Sequence, residues 1–182
     1  MRKITKIIEN EIGGIIDIDG DPADYGFRLV KDNAIHSFYL AGSLKNPKIP
    51  EFANQLAKEG YEVFDDWFNP GPDADDYHRD YAKARGRSYR DFIKSPAARN
   101  IFEFDKHHMD RCDALVLLMP AGKSAHLELG YTLGQGKPGF LVFEEEPERY
   151  EVMVQFATEV FFSRQEFFDY LKNQKEKHNG NG

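Results

Sequence analysis

The chain has 182 residues, with 24 lysines and arginines against 31 aspartates and glutamates, for a formal charge of −7. That length allows one domain with a full hydrophobic core, and an acidic chain without a basic stripe argues against a duplex nucleic-acid partner. A single cysteine, Cys112, excludes an internal disulfide and fits a cytoplasmic protein; with no apolar run near the ~18 residues of a membrane span and no apolar stretch after the basic Met1-Arg2-Lys3, neither a membrane partner nor a signal peptide is expected.

In chain order, residues 1–35 alternate weakly at Ile15-Ile16-Asp17-Ile18, turn at Asp19-Gly20-Asp21-Pro22 and offer a strand from Tyr25 to Val30. They read as a small N-terminal β extension packed on the main domain. Ile35 to Gly42 is the first core strand, and the glycine at its exit lets a backbone or ligand come close. Pro50 suits helix position N1 and Gly60 suits C′, which predicts a helix over 50–59 with Phe52, Leu56 and Ala57 inward. Tyr61 to Phe64 is a second strand. The acidic, proline-containing stretch Asp65 to Asp76 is a long loop of the kind that often carries function, and its Trp67 and Phe68 are candidate walls for a planar base.

The next helix runs from Tyr77 to Phe92, with Gly86 as its weak point. Ser95-Pro96 caps and starts another that ends near Arg111. Ala114 to Met119 is an unbroken apolar run, as expected of a parallel strand covered on both faces. Pro120 to Lys123 is a turn, and a helix from Ser124 to Gln135 ends at Gly136. Pro138 to Phe143 and Glu159 to Phe162 are further strands, Ser163-Arg164-Gln165-Glu166 is a capping box, and its helix reaches Lys177 before a disordered tail over 178–182. Alternating strands and helices over 36–177 predict an α/β domain with a doubly wound parallel five-stranded sheet.

In such sheets ligands sit beyond the C-terminal strand ends, where helices begin. Lys123, Ser124, His126 and Glu128 fall there. A carboxylate in or just after the first helical turn is favoured by the helix dipole and is a usable nucleophile, though the same preference places acids there with no chemistry. Ser124 reads equally as a simple N-cap or as part of a phosphate or sugar site. Gly122-Lys123-Ser124 is not a P-loop, because Leu117 stands where the first glycine is needed. His107, His108 and His126 lack metal-ligand spacing, so no metal is expected. Cys112 reads as a small buried apolar residue.

Three pieces together resemble the nucleoside 2-deoxyribosyltransferase superfamily, which includes the related nucleoside-monophosphate N-glycosidases. They are Phe38-Tyr39-Leu40-Ala41-Gly42, then Asp105 followed eight residues later by Asp113, then Leu127-Glu128-Leu129-Gly130-Tyr131 continuing to Gly136-Lys137-Pro138. The resemblance covers residues 36–143 and implies a flavodoxin-like fold. It further implies cleavage of a base–sugar bond through a glycosyl ester on Glu128, with Tyr39 orienting that carboxylate and Asp105 protonating the leaving base. Gly42, Gly122, Lys123, Ser124, Trp67 and Asp113 would contact substrate. The reaction needs no cofactor, the partner is a small nucleoside or nucleotide, and a homodimer or larger homo-oligomer is implied. The transferases carry an aspartate where this chain has Gly122; with Lys123 and Ser124 nearby, a 5′-phosphate is expected in preference to a 5′-hydroxyl. The 65–92 insertion, with Arg85, Arg87 and Arg90, is a lid or an oligomer contact. The other readings are a non-catalytic nucleotide sensor and an FMN-binding electron carrier on the same fold.

Overall fold

The computed structural model describes residues 34–179 continuously, and before them three short strands at 8–9, 15–17 and 28–30. The chain divides into two compact units, Met1–Ala34 and Ile35–Gly182. In the first, strands β1 (Ile8–Glu9), β2 (Ile15–Asp17) and β3 (Arg28–Val30) pair antiparallel, with Ile16 opposite both Ile8 and Leu29. The expected turn at 19–22 and the packing of this extension on the domain lie outside the described residues.

The second unit is built on five parallel strands: β4 (Ser37–Ala41), β5 (Glu62–Phe64), β6 (Ala114–Leu118), β7 (Gly139–Val142) and β8 (Glu159–Phe161), in the order β5-β4-β6-β7-β8. Counted within the domain this is 2-1-3-4-5, the flavodoxin-like order. Every residue of β4, β6 and β7 is buried, whereas the edge strands β5 and β8 bury only their last residue fully. The all-apolar sequences of the central strands follow from being covered on both faces.

Alternation along the strands sorts their side chains into two cores. Phe38, Leu40, Val116, Phe140 and Val142 meet Phe52 and Leu56 of α1 (Ile49–Lys58) and Phe167 and Leu171 of α6 (Arg164–Asn179). Tyr39, Ala41, Leu115, Leu117 and Leu141 face the other way, onto Met109 of α4 (Pro96–Arg111) and Ala125 and Leu129 of α5 (Lys123–Gly134). The first core is rich in rings: Phe52 stacks on Phe167 with centroids 5.7 Å apart. The second carries Tyr39, so the only central-strand phenol is turned toward the helices that hold Asp105 and Glu128.

Several local expectations shift by a turn or less. Ala53, not Ala57, is the inward alanine of α1. The helix expected over 77–92 is two, α2 (Ala74–Ala84) and α3 (Tyr89–Ile93), parted at Gly86, whose φ of +65° ends the first. Ser88 then starts α3 with a reciprocal box: its Oγ accepts from Asp91 N, while its own N–H donates to the Asp91 carboxylate at 3.0 Å. Ser95 caps α4 as expected, accepting from Ala98 N at 3.2 Å. At the final helix Ser163 Oγ accepts from Glu166 N, but the glutamate reaches back to Phe162 N instead of the serine's own N–H. That helix continues to Asn179, two residues into the stretch expected as a tail; 180–182 lie outside the described residues.

Candidate active site

The crevice expected at the C-terminal strand ends is a cavity of 1270 Å³ bounded by the loop after β4, the 65–76 segment, helices α2 to α4 and the start of α5. Of the residues expected to form the site, Gly42, Trp67, Asp105, Gly122, Ser124 and Glu128 line it. Tyr39 is buried beneath, 1% exposed, with the charges of both Glu128 and Asp105 acting on its phenol. Burial first, then those two carboxylates, push its ionisation well above the usual tyrosine range, so the hydroxyl stays protonated as a donor.

Each element aims its side chain for a local reason. Ala125, Leu129 and Thr132 are the buried stripe of α5 on the sheet, and Glu128, three residues from Ala125 and four from Thr132, stands on the flank of that stripe. On α4, Met109 packs on the sheet, and Asp105, one turn earlier, sits where the sheet ends and the cavity begins. Gly42 has a packing role besides the cavity: a Cβ there would come within 2.4 Å of Ile49 Cδ1. Trp67, in a short 3-10 turn at Asp66–Phe68, donates its indole N–H to the Leu40 carbonyl at 2.7 Å. Leu40 lies one residue beyond the last β4–β5 pair, Tyr39 with Phe64. The indole therefore closes off the strand edge where β5 stops.

The electrostatics differ from the simple helix-dipole reading. Glu128 is the sixth residue of α5, not part of its first turn, and the dipole falls off within that turn. Burial, reinforced by the charge of Asp105, raises its carboxyl to about 7. Burial raises Asp105 to about 6. The two acids are half-buried in one cavity, and the charge of Asp105 opposes ionisation of Glu128.

Two expected substrate residues are elsewhere. Asp113 precedes β6, at the opposite end of the sheet. Its Oδ2 accepts from His36 N, Ser37 N and Ser37 Oγ at 2.9–3.0 Å, tying the start of β4 to that of β6. Lys123 faces a neighbouring cavity together with His126, whose Nδ1 lies 2.8 Å from the Gly122 carbonyl. Ser124 is not the N-cap of α5; Gly122 holds that position without a side-chain bond, and Ser124 is exposed on the cavity wall.

Much of the Glu128-to-Pro138 signature is scaffolding. Tyr131 Oη donates to Asp110 at 2.7 Å, joined by Gln135 Nε2 at 2.7 Å. Lys137 Nζ donates to the Met109, Asp110 and Cys112 carbonyls at the end of α4. Gly136 takes φ +75° at the end of α5. Phe68 packs into the first core, and Tyr77 and Tyr81 are exposed off the cavity walls. Cys112 is buried and its thiol is pushed up to about 11 by that burial. His108 stacks on Phe64, centroids 3.7 Å apart. Among the described residues no cluster of three or more His, Cys, Asp or Glu is placed to hold a metal ion, and no helix is long and apolar enough to cross a membrane.

The sequence reading missed Tyr89, Phe92 and Phe102 as walls, and Lys45, His78 and Arg79 as polar groups of the cavity. Of the three insertion arginines it named, only Arg87 reaches the cavity. One signal was available: Phe102 and Phe104 flank Glu103 in a strongly polar helix, off its buried stripe, as aromatic residues facing open space do.

No family model matches the chain, and no curated protein does either. Among solved structures the chain is similar to a 2-deoxyribosyltransferase from the psychrotolerant bacterium Bacillus psychrosaccharolyticus, at 18% identity and a TM-score of 0.48, over 72% of this chain and 89% of that one.

Proposed function

We propose that the domain cleaves the N-glycosidic bond of a nucleoside or nucleoside 5′-monophosphate, with Glu128 as the nucleophile. The observation that carries this reading is the shared cavity: two interacting carboxyl groups, a protonated phenol beneath them and aromatic walls around them. The residues are those on which the resemblance to the deoxyribosyltransferase and nucleotide N-glycosidase superfamily rests.

The roles follow from the chemistry. The Glu128 carboxylate attacks C1′ and the C1′–N bond breaks, its electron pair leaving on the base. Asp105 gives its proton to the departing base, which is a poor leaving group otherwise. Water, or a second base, then attacks C1′ from the vacated side. The ester to Glu128 opens, Asp105 takes the proton, and both acids return to their starting state with configuration retained. Tyr39, whose phenol feels the charge of Glu128, orients that carboxylate toward the sugar in this reading. Positive charge developing at C1′ favours the ionised form of Glu128 and leaves the proton on Asp105, where it is used.

The test is incubation with nucleosides and their 5′-monophosphates, with and without added free bases, followed by chromatography. Released base without acceptor marks hydrolysis; a new nucleoside only with acceptor marks exchange. Glu128→Ala should lose at least about 10³-fold in kcat. Turnover unchanged in that variant, or ligand recovered intact from the native protein, removes the reading and leaves a binding protein. The same resemblance implies a cytoplasmic homo-oligomer, measurable by size exclusion with light scattering.

A further inference from the structure

A second cavity, of 1440 Å³, opens on the far side of Gly122, between the loops that follow β4, β6 and β7. Gly122 and Lys45 line both cavities, so the two adjoin. Each alone exceeds the roughly 300–1,000 Å³ of a typical small-molecule site, and one nucleoside fills neither. A Cβ placed on Gly122 would meet nothing within 4 Å, so no side chain walls off the divide at that point.

The position of Glu128 fixes how a substrate would lie. With the base beside Asp105 and C1′ at Glu128, the rest of the sugar points away from the base. Gly122 is six residues back along α5, about 9 Å by helix geometry. That is the reach of a furanose with its 5′ carbon and phosphate. A phosphate carried there meets the free N–H groups of the first turn of α5, flanked by Lys45 and Lys123. Beyond the divide five glutamates line the cavity: Glu144 pairs with Arg164 at 2.6 Å and Lys48 at 3.2 Å, Glu145 with Lys48 at 3.6 Å and Glu151 with Arg149 at 3.9 Å, while Glu146 accepts from Tyr150 Oη at 2.9 Å and Glu148 completes the set. Aromatic and apolar side chains lie among these charges. Phe143 and Phe162 stack with centroids 5.7 Å apart, and Tyr150 and Val152 present faces that are 82% and 65% exposed.

We infer that the substrate is longer than a monophosphate: a dinucleotide-type molecule whose glycosidic half lies beside Glu128 and Asp105. Its phosphate bridge crosses at Gly122, and its second planar group lies in the neighbouring cavity against Tyr150 and Val152. The inference rests on the glycosidase reading and leaves its bond changes as they are; it names the substrate class. Lys123, which does not reach the Glu128 cavity, gains a role on the bridge.

The test is calorimetry on Glu128→Gln, which binds without turnover, using symmetrical dinucleoside 5′,5′-diphosphates of the four common bases against the matching 5′-monophosphates, with base release measured on the native enzyme. At least one dinucleotide should bind about tenfold or more tighter than its monophosphate. Val152→Trp places a bulky ring where the second planar group would lie and should reduce that advantage while monophosphate affinity stays within about twofold. Tyr150→Ala, at an exposed position, should reduce the same advantage and serves as the second variant. Equal affinity for both ligand classes, or equal losses in Val152→Trp, overturns the inference. Base released from monophosphates with no dinucleotide advantage sinks the inference and spares the glycosidase reading. A dinucleotide advantage with no base released from any ligand does the reverse.

Discussion

Glu128 lowers the stability of the folded chain at neutral pH, and the sign follows from its proton. Its ordinary value is 4.5 and burial lifts it to about 7 in the native state. Between those values the native protein holds a proton that the unfolded chain has released. Stability is therefore fully present below the lower value and is lost as pH rises through the upper one. Glu128→Gln removes the charge, so the variant should be more stable than the native protein at pH 8, by up to about 3 kcal/mol, and converge with it at pH 4. A melting curve at each pH reads this directly; a variant less stable at pH 8 would mean the native carboxylate is well solvated or paired. On the proposed mechanism the same two acids set the activity profile. At low pH Glu128 is protonated and cannot attack; at high pH Asp105 has no proton to give. A narrow bell between about 6 and 7 is expected for kcat/KM. Asp105→Asn should remove the bell's basic limb and keep its acidic one, as a pH series with both enzymes would show.

At the scale of elements, the residues that hold the site in place are at the other end of the sheet. Asp113 bonds the backbone of His36 and Ser37 and the Ser37 hydroxyl, fixing β4 against β6. Asp113→Ala should cost about 2–4 kcal/mol in denaturant unfolding while leaving the pH profile unchanged. A selective change in KM with unaltered stability would instead return Asp113 to the substrate. Lys137 plays the matching part for α4, donating to three carbonyls at its end. Lys137→Met removes those charge-assisted bonds and should destabilise by a similar 2–4 kcal/mol. Because α4 carries Asp105, a parallel fall in kcat is expected for that variant. The most recognisable run of the chain thus joins the cavity carboxylate Glu128 to residues that hold two helices in place.

For the whole molecule, the five-stranded sheet and both of its described cores lie within residues 35–171. A chain beginning at Ile35 should fold by itself, with a cooperative thermal transition and near-native circular dichroism. A broad, non-cooperative melt would show that residues 1–34 supply part of the core.

Local chemistry made much of this legible from the sequence alone. Unbroken apolar runs at 114–119 and 138–143 identify strands covered on both faces, and proline, serine and glycine mark the helix ends because each has a distinct backbone preference. These signals specified the sheet and its helices, and the resemblance singled out Tyr39, Asp105 and Glu128, which the fold gathers at one cavity. The break at Gly86 needed only the stronger reading of a residue already flagged. What no local signal carried was direction across space. Asp113 and Asp105 look alike in the sequence, eight residues apart; one lies at the closed end of the sheet and the other at the open end, because the last turns of α4 run between them toward the start of β6. Lys123 and Ser124 are neighbours, yet successive helix positions diverge by about 100°, and they line different cavities. Proton affinities are likewise tertiary: the first-turn dipole argument read from sequence gives way to burial and to a second acid 23 positions away, which come together only when α4 and α5 pack on the same face of the sheet.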